Sequence, residues 1–543
     1  MTTARGPTKS EGADRRGGGS RGRSGATDGR TIQTAPPRGA LAVVAAFASG
    51  AAVMILELGG TRLLAPWFGN TLYLWTGLIG VVLVALSLGY CLGGRLADRR
   101  PNPSTLAHLL AAAAVATALV PSLHSAAAAS GGTMDFLAGP VVASLLLLAL
   151  PACLLAGVCP VAVKLLSATS ADRRVGFSAG TVSMAATLGS VVGTFAAGFV
   201  LIPHVALRTI FVAVAAVLAV LAAAGYLARR ADGPRRTVGA IALLAAVGVL
   251  GGASLESPDG EPDTVFDRTT FYHRIRVVDQ PGPSGDTARY LLLDTTYEGG
   301  RWLRSDGYPL RYQRYWELSR ALVPGLRRAL FIGGGGFLMP ERLLDAFPQA
   351  EADVVEIDPA VIEVGRRFFR LDEYPRLHAV ADDGRRFLRR TEHRYDLVVG
   401  DAYNGVQQIP THLVTVEFFE LIRARLAPGG VYLMNVRSAL EGRQSGVFHA
   451  VDATLRAVFD EVELLATEPA RPSVSQNVIF VASTERLPIA ALAAEHVARG
   501  GSLGELLATY VPRSASREGR GPVLTDDYNP VEYLIARGLS SRY

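Results

Sequence analysis

The chain has 543 residues, a formal charge of +6 and a pI near 9.3, and 49% of its residues are hydrophobic. That length excludes a single domain, and three cysteines, Cys91, Cys153 and Cys159, all inside apolar runs, exclude a disulfide framework or a zinc spacing. The mean hydropathy of +0.27 is carried by the first half, and many arginines sit in the first 38 residues and in short loops between apolar runs, which membrane topology explains better than nucleic-acid binding.

Residues 1–38 are largely Gly, Ser, Arg and Thr, with almost no large apolar side chains, so this basic tail cannot bury a core and is expected to be disordered. It lacks the apolar segment and cleavage site of a signal peptide. Seven apolar stretches follow, near 39–59, 72–94, 105–129, 137–166, 176–202, 205–228 and 238–254. All but the last are long enough to cross a hydrocarbon layer about 30 Å thick. They predict a multi-span α-helical membrane domain over 39–254, of about seven spans, set in membrane lipid of the cell membrane. The tail, "RLADRR" (95–100), "ADRR" (171–174) and "RRADGPRR" (229–236) are predicted to face the cytoplasm, because the intervening loops are poor in Arg and Lys apart from Arg62 and Arg208. The short stretch 238–254 decides the side of everything beyond it. A full crossing carries the rest of the chain outside, and a shallow or re-entrant helix leaves it inside. Gly189 and Gly193, four apart, with Gly198 beyond, predict close helix packing. Glu57 is either an interfacial residue or a functional carboxylate.

After 262 the character changes to charged residues and short apolar runs. "FYHRIRVVD" (271–279) and "RYLLLDTTYEGG" (289–300) read as strands of a small β-rich module over 262–325, which ends in a helix-like segment at 313–323. From 326 to 535 strand and helix signals alternate. Strands are expected at 328–333, 352–357, 377–381, 395–401 and 431–436, with two more near 461–466 and 477–482. Helices are expected at 338–347, 359–370, 383–390 and 415–426, the last stopped by "APGG" (427–430). The alternation predicts an α/β Rossmann-like domain with a doubly wound sheet of parallel strands.

In such a sheet, ligands sit beyond the carboxyl ends of the strands. Gly333 to Gly336 follow the first strand, and without side chains at Gly333 and Gly335 a ligand can approach the backbone. The second strand ends in "VVEID", where Glu356 can accept hydrogen bonds from ribose hydroxyls. Asp358, next in line, is either a second ligand contact or the cap of the following helix. The third strand ends in "AVADDG", so Asp382 or Asp383, with Gly384 beside them, can reach an exocyclic amine of a purine. The fourth ends in "VVGDAYNG", which sets Asp401 at the centre of the crevice, and Tyr403 either lines the acceptor side or is a core tyrosine. Acidic residues after three successive strands fit an adenosine ligand better than a pyrophosphate, which they would repel. His378 and His412 have no metal-ligand companions and read as structural.

The order "FIGGGG", "VVEID", "DDGRRFL", "YDLVVGDAYNG", "PTHLVTVEFFELIRARLAPGGVYLMNV" resembles the spermidine synthase (polyamine aminopropyltransferase) family. "LTDDYNPVEYL" (524–534), "LPACLLAGVCPVAVKLL" (150–166) and the "TLGS" to "GFVLIP" segment resemble its membrane-fused form, with N-terminal transmembrane helices. The resemblance implies a class I methyltransferase-like fold that takes decarboxylated S-adenosylmethionine as donor substrate, with no tightly bound cofactor and no metal. The aminopropyl group would pass to putrescine or a related small amine. On that pattern Glu356 holds the ribose, Asp383 the adenine, and Asp401 orients and deprotonates the attacking amine. A cytoplasmic catalytic domain is expected because such donors are cytoplasmic metabolites, and a homodimer through the soluble domain is open to it. Two positions depart from the family's pattern. Gly336 stands where its G-G-G-D-G loop has an acid that helps hold the donor's primary amine, and Asn404 replaces the second acid of its D-x-x-D. Two alternatives stand beside aminopropyl transfer: a methyltransferase-like protein using S-adenosylmethionine itself, towards which the acid missing at Gly336 leans, and a polyamine transporter or sensor, to which Glu57 lends support. "GGRLADRR" (93–100), which resembles a loop of major-facilitator transporters, supports the latter.

Overall fold

The computed structural model describes residues 37–129, 137–169, 175–227, 243–249, 263–282, 285–403, 408–512 and 520–540. Nearly all of the basic tail, the loops 171–174 and 229–236, most of 238–254, and Asn404 lie outside the described residues.

Among the described residues, six helices are long and apolar enough to cross a membrane: Gly39–Phe68, Leu72–Arg99, Pro103–His124, Gly139–Ala168, Val175–His204 and Leu207–Leu227. They correspond to the first six apolar stretches. The seventh is described only over 243–249, a helical segment whose Val247 is buried against the six-helix core. The first helix outruns its expected end at 59 because Leu63, Leu64 and Phe68 continue its buried face. It stops where Gly69 takes a φ of +67°, so Glu57 is well inside it. Gly189 and Gly193 rest on the backbone of Phe47 and Ala51 in the first helix, and Gly50 returns the contact against Ala186. Small residues at this spacing let the two helix backbones touch.

The second helix shows how the ends of the bundle differ. At its carboxyl end are Arg95, Arg99, Arg100 and the Lys164–Asp98 ion pair (2.9 Å). At its amino end the bundle touches the soluble part. Leu72 N–H donates to Glu532 Oε2 (3.0 Å), Arg62 Nη1 to the Tyr272 carbonyl (3.0 Å), and Thr295 Oγ1 to the Pro66 carbonyl (2.9 Å). Arg95, Arg99, Arg100 and Lys164 therefore sit at the end of the bundle opposite the soluble part.

The soluble part opens with an antiparallel sheet of β1 (Thr264–Thr269), β2 (Arg274–Pro281), β3 (Thr287–Leu293) and β4 (Thr296–Trp302), paired in that order. The run 289–300, expected as one strand, is two. The chain reverses at Asp294, whose φ of +57° a short polar side chain tolerates, and whose Oδ1 accepts from the Arg274 N–H (3.1 Å).

The second sheet comprises β5 (Arg328–Ile332), β6 (Glu351–Glu356), β7 (Leu377–Ala381), β8 (Tyr395–Gly400), β9 (Leu426–Ser438), β10 (Glu461–Ala466) and β11 (Gln476–Ser483). Its order is β10-β11-β9-β8-β5-β6-β7. β5 to β9 pair in parallel, as expected, but β10 and β11 run antiparallel to their neighbours. The loop between β10 and β11 holds no crossover helix, and a connection of that kind joins antiparallel strands. Leu330 and Ile332 pack on one face of the sheet and Ala329 and Phe331 on the other, all buried, which is why β5 reads as an unbroken apolar run. Strand order reverses between β5 and β8, and the crevice opens there.

Candidate active site

Geometry dictates two glycines in the turn after β5. Gly333 has a φ of +104° and Gly335 of +45°, and a Cβ on either would collide with a carbonyl oxygen, that of Asp401 or of Glu298. The loop is thus pressed between the end of β8 and the backbone of β4. Arg301 of β4 fastens this arrangement. Its Nη1 donates to Glu341 Oε2 in helix Leu338–Ala346 and to the Phe369 carbonyl, both at 3.1 Å, and both charged side chains are buried.

Glu356 ends β6 beneath the loop. Its Oε2 accepts from the Gly334 N–H (2.9 Å) and its Oε1 from the Asp358 N–H (3.0 Å). Burial raises its pKa, and these two N–H groups pull it back. Asp358 faces away from the crevice: Oδ1 caps helix Pro359–Phe368 through the Ala360 N–H (2.9 Å), and Oδ2 accepts from Thr270 Oγ1 (2.5 Å). The cap is the role its surroundings allow. Asp383 Oδ1 accepts from the Arg386 N–H (2.8 Å) at the next helix start, while Oδ2 meets His412 Nε2 (2.8 Å), a contact that holds its carboxyl below the usual range. Asp382 pairs with the Arg386 guanidinium.

Asp401 follows β8. Its Oδ1 accepts from Asn435 Nδ2 (2.8 Å), and Asn435 Oδ1 in turn accepts from Asn477 Nδ2 (3.1 Å). Burial pushes the Asp401 carboxyl up to about 6. The Tyr403 hydroxyl donates to the Asn435 carbonyl (2.9 Å) and accepts from the Arg437 N–H (3.0 Å).

Two cavities meet at Asp401. The smaller, of about 70 Å³, is lined by Gly333, Gly335, Glu356, Asp382, Asp383, Gly384 and His412 among others. The larger, of about 510 Å³, is lined by Tyr297, Tyr312, Asn435, Arg437 and Asn477 among others. Glu298, Asp401 and Tyr403 line both. The crevice therefore gathers every candidate the sequence singled out except Asp358, which caps its helix, and Asn404, which is outside the described residues. It adds residues that sequence reasoning missed. His412, expected to be structural, is at the cavity wall, and Glu298 and Tyr312 come from the first sheet and its sequel, which carry no strand-to-helix signature. Among the described residues, no three His, Cys, Asp or Glu side chains gather as a metal site.

The spermine/spermidine synthase domain matches residues 317–490. Over 213 residues the chain is 28% identical to a polyamine aminopropyltransferase of Vibrio vulnificus, covering 37% of this chain and 67% of that protein. Over 299 residues it is 31% identical to a polyamine aminopropyltransferase of Mycobacterium tuberculosis, covering 50% of this chain and 53% of that protein. A solved structure, a probable spermidine synthase from Corynebacterium glutamicum, aligns at 21% identity with a TM-score of 0.39, over 48% of this chain and 97% of that one. The chain thus spans about half to two thirds of the length of these curated relatives. The similarity to the spermine/spermidine synthase domain thus lies in residues 317–490.

Proposed function

We propose that the chain is a membrane-attached aminopropyltransferase that moves the aminopropyl group of decarboxylated S-adenosylmethionine to putrescine or a related amine. In this reading residues 39–254 form the membrane domain, 262–325 a β module over the site, and 326–535 the catalytic domain. The observation that carries it is the carboxylate of Asp401 at the shared wall of two cavities, one fringed by Glu356 and Asp383, the other large enough for an acceptor. Glu356 holds the ribose hydroxyls and Asp383 the adenine amine of the donor.

The acceptor's lone pair attacks the methylene carbon bonded to sulfur. The C–S bond breaks with its electron pair going to sulfur, the sulfonium becomes a neutral thioether, and the surplus proton of the new ammonium passes to Asp401. A sulfonium is already an activated leaving group, so holding the two reactants in line supplies most of the rate. A carboxyl titrating near 6 is ionised at neutral pH and still basic enough to take that proton. The test is turnover by the full-length protein in detergent with donor and putrescine. Production of the thioether nucleoside and a triamine is expected. Donor binding without either product would turn the reading towards methyl transfer.

The side of the membrane is part of the proposal. A cytoplasmic metabolite as donor argues for a cytoplasmic catalytic domain, and the bundle's geometry argues for the other face. Basic loops mark the cytoplasmic side, and the soluble part docks at the opposite end of the second helix. Between 227, at the basic end, and 263, on the soluble part, the chain then crosses once more, and the helical residues 243–249 lie in that interval. We therefore favour seven crossings and an outward-facing site, to which donor and acceptor must both be supplied.

A further inference from the structure

Glu298 is a carboxylate lining both cavities that neither the motifs nor the proposed chemistry uses. It lies on β4, the strand against which the glycine loop is packed. Its carbonyl oxygen abuts Gly335, and the neighbouring Gly299 touches the backbone of Gly336. The backbone of β4 therefore runs along the stretch of loop that lacks an acid. Glu298 Oε1 is buried with no hydrogen-bond partner among the described residues. Leaving a carboxylate oxygen buried and unmatched is costly unless something arrives to meet it. The groups that face it are the carboxylates of Asp401, Glu356 and Asp294, the guanidinium of Arg437, and the phenols of Tyr312 and Tyr403. Acids outnumber the cation, so the place is short of positive charge.

Resting on the reading above, we infer that Glu298 selects the donor: its carboxylate receives the primary ammonium of a decarboxylated adenosyl sulfonium and disfavours S-adenosylmethionine, whose α-carboxylate would come to the same place. The acid missing at Gly336 is thus supplied from the opposite side of the loop, by a strand of the other sheet. Burial and the neighbouring carboxylates push Glu298 up to about 8, so it is largely protonated at neutral pH. Entry of an ammonium ionises it and releases a proton. Preference for the decarboxylated donor then grows with pH, by about tenfold per unit below 8 at most.

The experiment is calorimetry of the full-length protein in detergent with both donors, at pH 6.5 and 8.5, for wild type, Glu298→Gln and Glu298→Asp. The expected result is a wild-type preference for the decarboxylated donor that widens with pH. Glu298→Gln narrows that preference by about tenfold or more and abolishes its pH dependence, and Glu298→Asp, which keeps the charge, retains part of it. An unchanged ratio in Glu298→Gln overturns the assignment while leaving the proposed function standing. Wild-type binding of S-adenosylmethionine in preference to the decarboxylated donor overturns the assignment and aminopropyl transfer together. Binding of neither donor overturns the adenosyl-sulfonium reading itself, and Glu298's role with it. The backbone contacts of residue 298 with Gly335 survive each substitution, and a circular dichroism melt confirms that the variants are folded.

Discussion

Replacing Glu356 separates two jobs that its carboxylate is positioned to do. One oxygen accepts from the Gly334 N–H and the other from the Asp358 N–H, at 2.9 and 3.0 Å, so the side chain holds the glycine loop and the start of the next helix to the end of β6. Glu356→Ala strands both N–H groups in a site where Glu356 is itself only 6% exposed. At roughly 1–3 kcal/mol for each unsatisfied buried donor, the loss is about 2–6 kcal/mol, a large part of the roughly 5–15 kcal/mol that holds a domain folded. Glu356→Gln keeps one carbonyl acceptor and sets an NH₂ against the other N–H, so it should cost about half as much. Both variants lose ribose hydrogen bonds, worth about 1–3 kcal/mol or roughly 5- to 150-fold in donor affinity. Urea melts followed by the fluorescence of Trp302 and Trp316 measure the first effect, and donor titration of Glu356→Gln measures the second. If Glu356→Ala melts like the wild type, the loop does not depend on these bonds. If Glu356→Gln binds donor with undiminished affinity, the ribose assignment is wrong whatever the melt shows.

Asp401→Asn should reduce turnover to background with donor affinity nearly intact, and wild-type turnover in that variant would move the base elsewhere. Because only the ionised carboxylate accepts a proton, the wild-type kcat should rise about tenfold per pH unit up to about 6 and level off above it; a profile flat from pH 5 to 7 would contradict the general-base role. Gly333→Ala should destabilise the catalytic part by at least about 1–3 kcal/mol from backbone strain alone, before the collision with the Asp401 carbonyl, and an unshifted melting temperature would show that the loop is remade without cost. In a variant without native cysteines, a cysteine at exposed Thr484 should react with an impermeant thiol reagent in intact cells while one at Ala168 stays protected; the reverse pattern would return the catalytic part to the cytoplasm.

Much of this protein is legible in its sequence because the signals are local. Six apolar helices follow from run length, since a hydrocarbon layer demands about 20 consecutive apolar residues. The strands from β5 to β9 follow from short apolar runs punctuated by glycine and acid, and Glu356, the pair Asp382 and Asp383, and Asp401 follow from being the first acids after those runs. The small sheet is less plainly marked. β3 and β4 merge into one apolar-to-polar run because the reversal between them rests on a single Asp294 with positive φ, which has no strong sequence mark.

What only the tertiary structure decided are contacts between residues far apart in the chain. Asp358 could cap or bind, and Thr270, 88 residues earlier, occupies the oxygen that would have bound. His412 gains its place at the cavity wall from Asp383, 29 residues before it. Glu298 faces the glycine loop because Arg301 clamps β4 onto Glu341, a buried pair that no periodicity announces. The face of the helix bundle that carries the soluble part depends on Arg62, Pro66 and Leu72 meeting residues more than 200 positions away. Apolar periodicity tells a residue whether it will be buried, but it carries no information about which buried partner it will meet.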